Sequence, residues 1–325
     1  MTKHQFVSFA NHMLLGAVNS VRQDLKSGKK LDEPAYTASI VTKFPALMNG
    51  CLGRAKFGGC FIHQSPIATM SNGTDRCEVG DLLVLCKKTD YGVPRFNAAL
   101  FQLKRTSEYC SVKPDNQIQL QLYTNWPEFS LGRVYINTGA NHYDIHPKAV
   151  TPGAQYMFIN EEPYQYWDYN DYFIPYGCPI VYTHSIPELV MMNTPEMSFG
   201  MFLWNFMQWQ DGRPISKSAA TADDEWSGLI WELITRTQST VFNHKSINAK
   251  AVKRAQGNLF NFMLMPSTET EIDVMYRKWL FLDNSQDGDE NKGTDDRNPE
   301  EDGRDSEENY SAISILYIDL DGDQD

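Results

Sequence analysis

Asp81-Leu82-Leu83-Val84-Leu85-Cys86-Lys87-Lys88, then Thr89-Asp90-Tyr91-Gly92-Val93-Pro94, then Phe96-Asn97-Ala98-Ala99-Leu100-Phe101-Gln102-Leu103-Lys104-Arg105-Thr106: this stretch decides the fold. Two runs rich in β-branched, aromatic and leucine side chains flank a cluster of turn formers, the pattern of strand, turn and strand. The near-continuous apolar run Leu82–Cys86 suits a strand buried on both faces, inside a sheet that is covered on each side. An antiparallel pairing about Gly92–Val93 sets Asp81 opposite Lys104. Gln102 and Lys104 then share a face, because side chains alternate along a strand. A carboxylate, an amide and an ammonium converge at the open end of an apolar hairpin. Leaving them buried and unpaired costs on the order of several kcal/mol, and such a local conflict often marks a functional site.

Working outward, residues 4–27 carry Phe6, Phe9, Met13, Leu14, Val18 and Val21 at roughly helical spacing. A second helix opens at Asp32-Glu33-Pro34 and ends at Asn49-Gly50, or sooner at Pro45. Cys60–Gln64 reads as a strand that Pro66 keeps short, and Asp115–Trp126 as a helix stopped by Pro127. Residues 128–175 are rich in Gly, Pro, Asn and Tyr, with one clear strand at Tyr156–Ile159; another follows at Ile180–Thr183. Helices are expected at Pro195–Gln210 and Asp223–Phe242, whereas 258–282 has no clear pattern. Ala312–Ile318 is a last apolar run, expected as a strand delivered to the edge of the sheet. The class is therefore α/β: a mixed central sheet flanked by helices, with an integral helical C-terminal half. Residues 1–282 would form the domain, 283–310 an acidic linker and 311–325 a strand returning to the sheet.

The charge has one location. Of 41 acidic and 29 basic residues, 16 and 3 lie in Asp283–Asp325, which leaves 25 acidic and 26 basic in residues 1–282. The body is near neutral, so the overall charge of −12 neither supports nor excludes a nucleic-acid partner. Residues 283–309 have almost no apolar side chains and are expected to be disordered. No run approaches the roughly 18–20 apolar residues of a membrane span. The first residues do not resemble an export signal. Six cysteines without a C-x-x-C pair read as reduced core residues of a cytoplasmic protein.

Phosphodiester hydrolysis uses the residue types that meet at the hairpin's open end. A carboxylate and a second oxygen ligand hold Mg²⁺ with waters left on the ion. A neighbouring lysine stabilises developing charge or orients the nucleophile. Glu78-Val79-Gly80-Asp81 followed by Phe101-Gln102-Leu103-Lys104 resembles the D…(D/E/Q)xK signature of the PD-(D/E)xK nuclease superfamily, in the QxK form of Mrr-like restriction endonucleases. Gln121–Phe129 and Asp224–Leu233 are similar to segments of bacterial proteins carrying such a Q-x-K strand. The resemblance implies a restriction-endonuclease-like core and a Mg²⁺- or Mn²⁺-dependent endonuclease acting on DNA, with a role in defence against foreign DNA. It makes Asp81 and Gln102 metal ligands and Lys104 the assisting cation. Glu33 matches by position the glutamate on the preceding helix that often completes the site, though it suits a helix N-terminus equally. Glu78 is either a further ligand or a turn residue.

Arg105 and the cluster Lys245, Lys250, Lys253 and Arg254 are the candidates for gripping a phosphate backbone, against the simpler alternative of a solvated face. Tyr164, Tyr166, Trp167, Tyr169 and Tyr172 are expected as a packed aromatic loop rather than a base-stacking platform. His142 and His146, beside Pro147, are expected in a loop rather than as a helical zinc pair. Gln102 in place of an acid removes a negative charge. That keeps open a second function: a catalytically silent nuclease-like module binding nucleic acid or a protein partner in a larger defence complex. In a third, the acidic segment competes with DNA as a polyanion.

Overall fold

The computed structural model describes residues 1–24, 33–49, 55–62, 66–106, 116–137, 139, 141–160, 180–184, 197–239 and 312–320. The N-terminal apolar stripe folds as α1 (Lys3–Asp24), followed by α2 (Glu33–Ala38), a π-helical turn (Ser39–Lys43) and α3 (Phe44–Asn49). Pro45 does not stop this second helix. Phe44 N–H bonds five residues back to the Ser39 carbonyl, and this wider turn leads into the position where proline supplies no donor.

Then come β1 (Ala55–Cys60), β2 (Ile67–Met70), β3 (Arg76–Glu78), β4 (Leu82–Asp90) and β5 (Val93–Thr106). After α4 (Gln117–Asn125) follow β6 (Phe129–Leu131), β7 (His142–Tyr143), β8 (Ala154–Asn160), β9 (Ile180–His184) and β10 (Met197–Ser198). The described chain ends with α5 (Phe199–Met207), β11 (Arg213–Ile215), α6 (Glu225–Ser239) and β12 (Ser314–Leu320).

The central sheet is mixed, in the order β1-β12-β4-β5-β8-β9-β10, with β11 also paired to β5. β12 runs parallel to β4, and β8 runs parallel to β5. A smaller sheet, β3-β2-β6-β7, joins residues 67–78, where the sequence predicts no element, to the Gly-, Pro-, Asn- and Tyr-rich stretch after residue 128. Helices cover both faces of the large sheet. Leu82, Val84, Cys86, Ala99, Phe101 and Leu103 point to the layer of α1, α3 and α5. Leu83, Leu85, Ala98 and Leu100 point to α4 and α6. Leu82–Cys86 are all at most 2% exposed, as expected of a strand buried on both faces. Each such fully buried large apolar side chain contributes roughly 1.5–3 kcal/mol.

Three expectations are corrected. The hairpin turns on Tyr91-Gly92, whose φ values of 51° and 76° are those of a two-residue primed turn. Asp90 therefore pairs with Val93 and Leu82 with Phe101, so the register places Asp81 against Gln102 rather than Lys104. β12 is not at the edge but between β1 and β4. Ile315 and Tyr317 face one helical layer, Leu316 and Ile318 the other, so the strand has no polar face to offer solvent. The strand expected at Cys60–Gln64 lies earlier, at Ala55–Cys60. Gly58 and Gly59 disguise it, and Gly59 is required there. A Cβ at that position would overlap the Val41 carbonyl oxygen of the π-helical turn.

The start and end of β12 are fixed by polar contacts. Thr237 Oγ1 donates to Ile313 O at 2.9 Å, and Ser314 Oγ donates to Ile62 O at 2.8 Å. Further along, Lys87 Nζ pairs with Asp319 at 3.6 Å, both side chains largely buried. Of the expected helical C-terminal half, α5 and α6 are present, and residues 240–311 lie outside the described residues. Cys60, Cys77 and Cys86 are buried free thiols. Cys51, Cys110 and Cys178 lie outside the described residues. No helix among the described residues is long and apolar enough to cross a membrane.

Candidate active site

β5 outruns its partner. β4 starts at Leu82, opposite Phe101, so the β4 side of Leu103 has no strand to receive its N–H. The Asp81 carboxylate fills that gap: its Oδ2 accepts Leu103 N–H at 2.7 Å and also the Gln102 side-chain amide Nε2. The Asp81 main chain is held by its own N–H, which donates to Phe101 O at 2.8 Å. Asp81 thus caps the sheet where one strand stops, and a buried N–H obtains its partner.

Capping does not explain the neighbours. Burial, and after it the negative charge of Glu78, push the Asp81 carboxyl up to about 7. Glu33 adds to the rise, while the Leu103 N–H and Lys104 oppose it. Crowding by protein also raises Glu78 above the usual carboxylate range. Lys104 lowers it and Glu33 raises it further. Glu33, Glu78, Asp81 and Lys104 therefore share one electrostatic environment, and its acids outnumber its base.

Glu33 belongs to the opposite layer. It opens α2, and its Oε1 accepts the Arg105 N–H at 3.0 Å just beyond Lys104. Glu33 starts the helix, and its negative charge acts on Asp81. Glu78 ends β3 and reaches solvent. Arg105 is exposed at the end of β5.

Gln102 is 2% exposed. Its Nε2 is committed to Asp81, and its Oε1 is buried with no hydrogen-bond partner among the described residues. An unpartnered buried acceptor costs about 1–3 kcal/mol, and ordinary packing gives no return for it. Among the described residues, no three His, Cys, Asp or Glu side chains are arranged as a metal cage. The donors at the open end are nonetheless all oxygens: the carboxyls of Asp81, Glu78 and Glu33 and the Gln102 amide. These types fit Mg²⁺ or Mn²⁺ rather than a softer ion. An added positive charge would satisfy Oε1 and offset the crowded carboxylates together.

The sequence missed a supporting residue. Tyr123 of α4 is fully buried, and its hydroxyl donates to Val79 O at 2.7 Å, within the segment joining Glu78 to Asp81. A tyrosine in a helix of mixed polar and apolar residues carries no signal of this. His142 and His146 lie on a two-residue strand and in the turn after it, not on a helix. Lys245, Lys250, Lys253 and Arg254 lie outside the described residues, as does the aromatic cluster Tyr164–Tyr172. No protein-family model matches the chain, no curated protein shows significant similarity to it, and no solved structure matches it significantly.

Proposed function

We propose that the protein is a metal-dependent nuclease that hydrolyses DNA phosphodiester bonds, built on a restriction-endonuclease-like core. One observation carries this: a half-buried Asp81 whose carboxyl is raised by burial and by Glu78 and Glu33, beside a buried Gln102 oxygen that no group among the described residues satisfies. In this function Asp81 and Gln102 hold Mg²⁺ or Mn²⁺, with Glu78 or Glu33 completing the oxygen set. When bound, the cation supplies Lewis acidity to the scissile phosphate and lowers the pKa of a water. Lys104, two residues beyond Gln102 on the same face, places a positive charge where negative charge develops during attack. Exposed Arg105 offers a guanidinium to the flanking backbone, and the sequence cluster Lys245, Lys250, Lys253 and Arg254 is the other candidate for such a contact. Restriction or antiphage defence is the setting that the resemblance of the Q-x-K strand suggests.

A second function has its own support. Asp81 Oδ2 already serves Leu103 N–H and the Gln102 amide, a structural duty that a catalytically silent nuclease-like module would keep. Such a module would bind nucleic acid, or a partner protein in a defence complex, without Mg²⁺. Cleavage of plasmid and linear DNA with Mg²⁺ or Mn²⁺ separates the two, comparing wild type with Asp81→Ala and Lys104→Ala. Metal-dependent nicking lost in both variants establishes the nuclease. DNA binding that ignores both metal and Asp81→Ala, without nicking, assigns the silent module.

A further inference from the structure

We infer that Tyr123 is a positioning residue: it fixes the Glu78–Asp81 segment so that the two carboxylates face the open end of the hairpin at a set spacing. Only Val79 and Gly80 separate these acids, so the path of those two residues decides where both carboxyls stand. Three hydrogen bonds hold that path. Val79 N–H donates to Pro66 O at 2.8 Å, and Asp81 N–H donates to Phe101 O at 2.8 Å. The third is the Tyr123 hydroxyl on Val79 O. It is the one of the three that comes from a side chain, on a helix outside the sheets.

The hydroxyl stands at a fixed height because its ring cannot shift. The ring stacks on Trp126 at 6.0 Å between centroids and meets Tyr156 edge-on at 5.6 Å. The helix beneath is fastened at both ends. The Asn116 side chain accepts from Ile118 and Gln119 N–H, and Trp126 closes α4 in the left-handed conformation. The chain is pressed against this hydroxyl at Gly80, where a Cβ would lie 2.8 Å from the Tyr123 oxygen and 2.9 Å from Leu100 Cδ1. A side chain at that position would have to displace the Tyr123 hydroxyl or Leu100, so the glycine lets the segment approach the tyrosine this closely. Since the hydroxyl's proton is given to a carbonyl, Tyr123 acts through Asp81 and Glu78 and not on substrate.

Tyr123→Phe in the full-length protein tests this, with Ser227→Ala as a control for lost stability. Ser227 is buried and accepts the Ser216 N–H at 3.0 Å. It lies beside β11, which pairs with the turn half of β5. Two quantities are read: hydrogen exchange of the Leu103 amide, which reports where the Asp81 carboxylate sits, and Mn²⁺ affinity by electron paramagnetic resonance. Tyr123→Phe is expected to speed Leu103 exchange and weaken Mn²⁺ binding, each by roughly tenfold, the loss of about one net hydrogen bond. Ser227→Ala moves neither beyond its effect on the melting temperature. Leu103 exchange no faster in Tyr123→Phe than in Ser227→Ala overturns the positioning role. The Mn²⁺ arm rests on the metal function above and the exchange arm does not. A wild type that binds no Mn²⁺ thus removes the metal site while exchange still decides Tyr123.

Discussion

At the turn end of the β4–β5 hairpin, Asp90 sits between Lys88 and Arg95. At the open end, Asp81 feels the negative charges of Glu78 and Glu33, with Lys104 as the cation that opposes them. Lys88 Nζ is 3.2 Å from Asp90 Oδ1, and the Arg95 guanidinium donates to Oδ2. Against a desolvation that would raise it, these two cations hold the Asp90 carboxyl below the usual range. The open end does the reverse and lifts Asp81 to about 7. The same hairpin thus carries at its two ends one aspartate whose surroundings favour its charge and one whose surroundings resist it. Pairing on the surface is what a hairpin needs for solubility, and it adds little to stability. A partly buried excess of acid is a cost that folding alone does not require, and a bound cation would remove it. Perturbed groups of this second kind cluster at functional sites.

The largest effect should separate the ends by activity. Asp81→Asn and Lys104→Ala are expected to lower Mg²⁺-dependent cleavage by roughly 10²–10³-fold, the usual scale for losing one electrostatic contributor to the transition state. Asp90→Asn and Arg95→Ala, with the same change of charge at the other end, should leave the rate unchanged. Equal losses at both ends in a cleavage assay would mean that charge in general, and not this constellation, governs the activity.

A medium effect concerns pH. A carboxyl raised in the folded state binds a proton there that the unfolded chain has already released. Between the ordinary aspartate value near 4 and the folded value of about 7, the folded state holds more protons, so stability falls as pH rises and levels off above it. Thermal melts in metal-free buffer at pH 5, 6, 7 and 8 should show this decline in wild type and a flatter curve in Asp81→Asn. Mg²⁺ should raise the wild-type midpoint more at pH 8 than at pH 5, where a proton competes for the site. A pH slope identical in the two proteins would place the raised carboxyl elsewhere. Asp211 is the first alternative, since burial raises it too.

What the sequence disclosed follows the strength of its local signals. The hairpin, the sheet class and the meeting of Asp81, Gln102 and Lys104 were legible, because alternation and turn residues are local. The register was not. A shift from a turn about Gly92–Val93 to one on Tyr91–Gly92 changes every partner, and Tyr91 is a poor advertisement for a positive φ. The interior place of β12 was in fact written in its uninterrupted apolar run, the same argument that buried Leu82–Cys86. It was obscured by the acidic stretch before it, which suggested an afterthought at the edge. The small sheet was hidden because β3, β6 and β7 have three residues or fewer, too few for a period to emerge. The Tyr123 contact could not be foreseen at all: it depends on α4 meeting β3, a tertiary fact with no trace in spacing.

The smallest effect tests the turn end by improving it. Tyr91 adopts φ 51° and is fully exposed. A left-handed conformation costs a residue other than glycine or asparagine roughly 1–2 kcal/mol, and an exposed ring wins nothing back. Asn-Gly is the preferred pair for this turn, so Tyr91→Asn should stabilise the protein by about 0.5–1 kcal/mol, a rise of roughly 1–3 °C in a thermal melt. Cleavage should be unaffected, because about ten residues of strand, roughly 30 Å at 3.3 Å per residue, separate this turn from Asp81. A lower melting point would show that the tyrosine is held there by a contact worth more than its strain. A changed cleavage rate with unchanged stability would join the two ends into one functional unit, and the contrast between them would then describe a single extended surface.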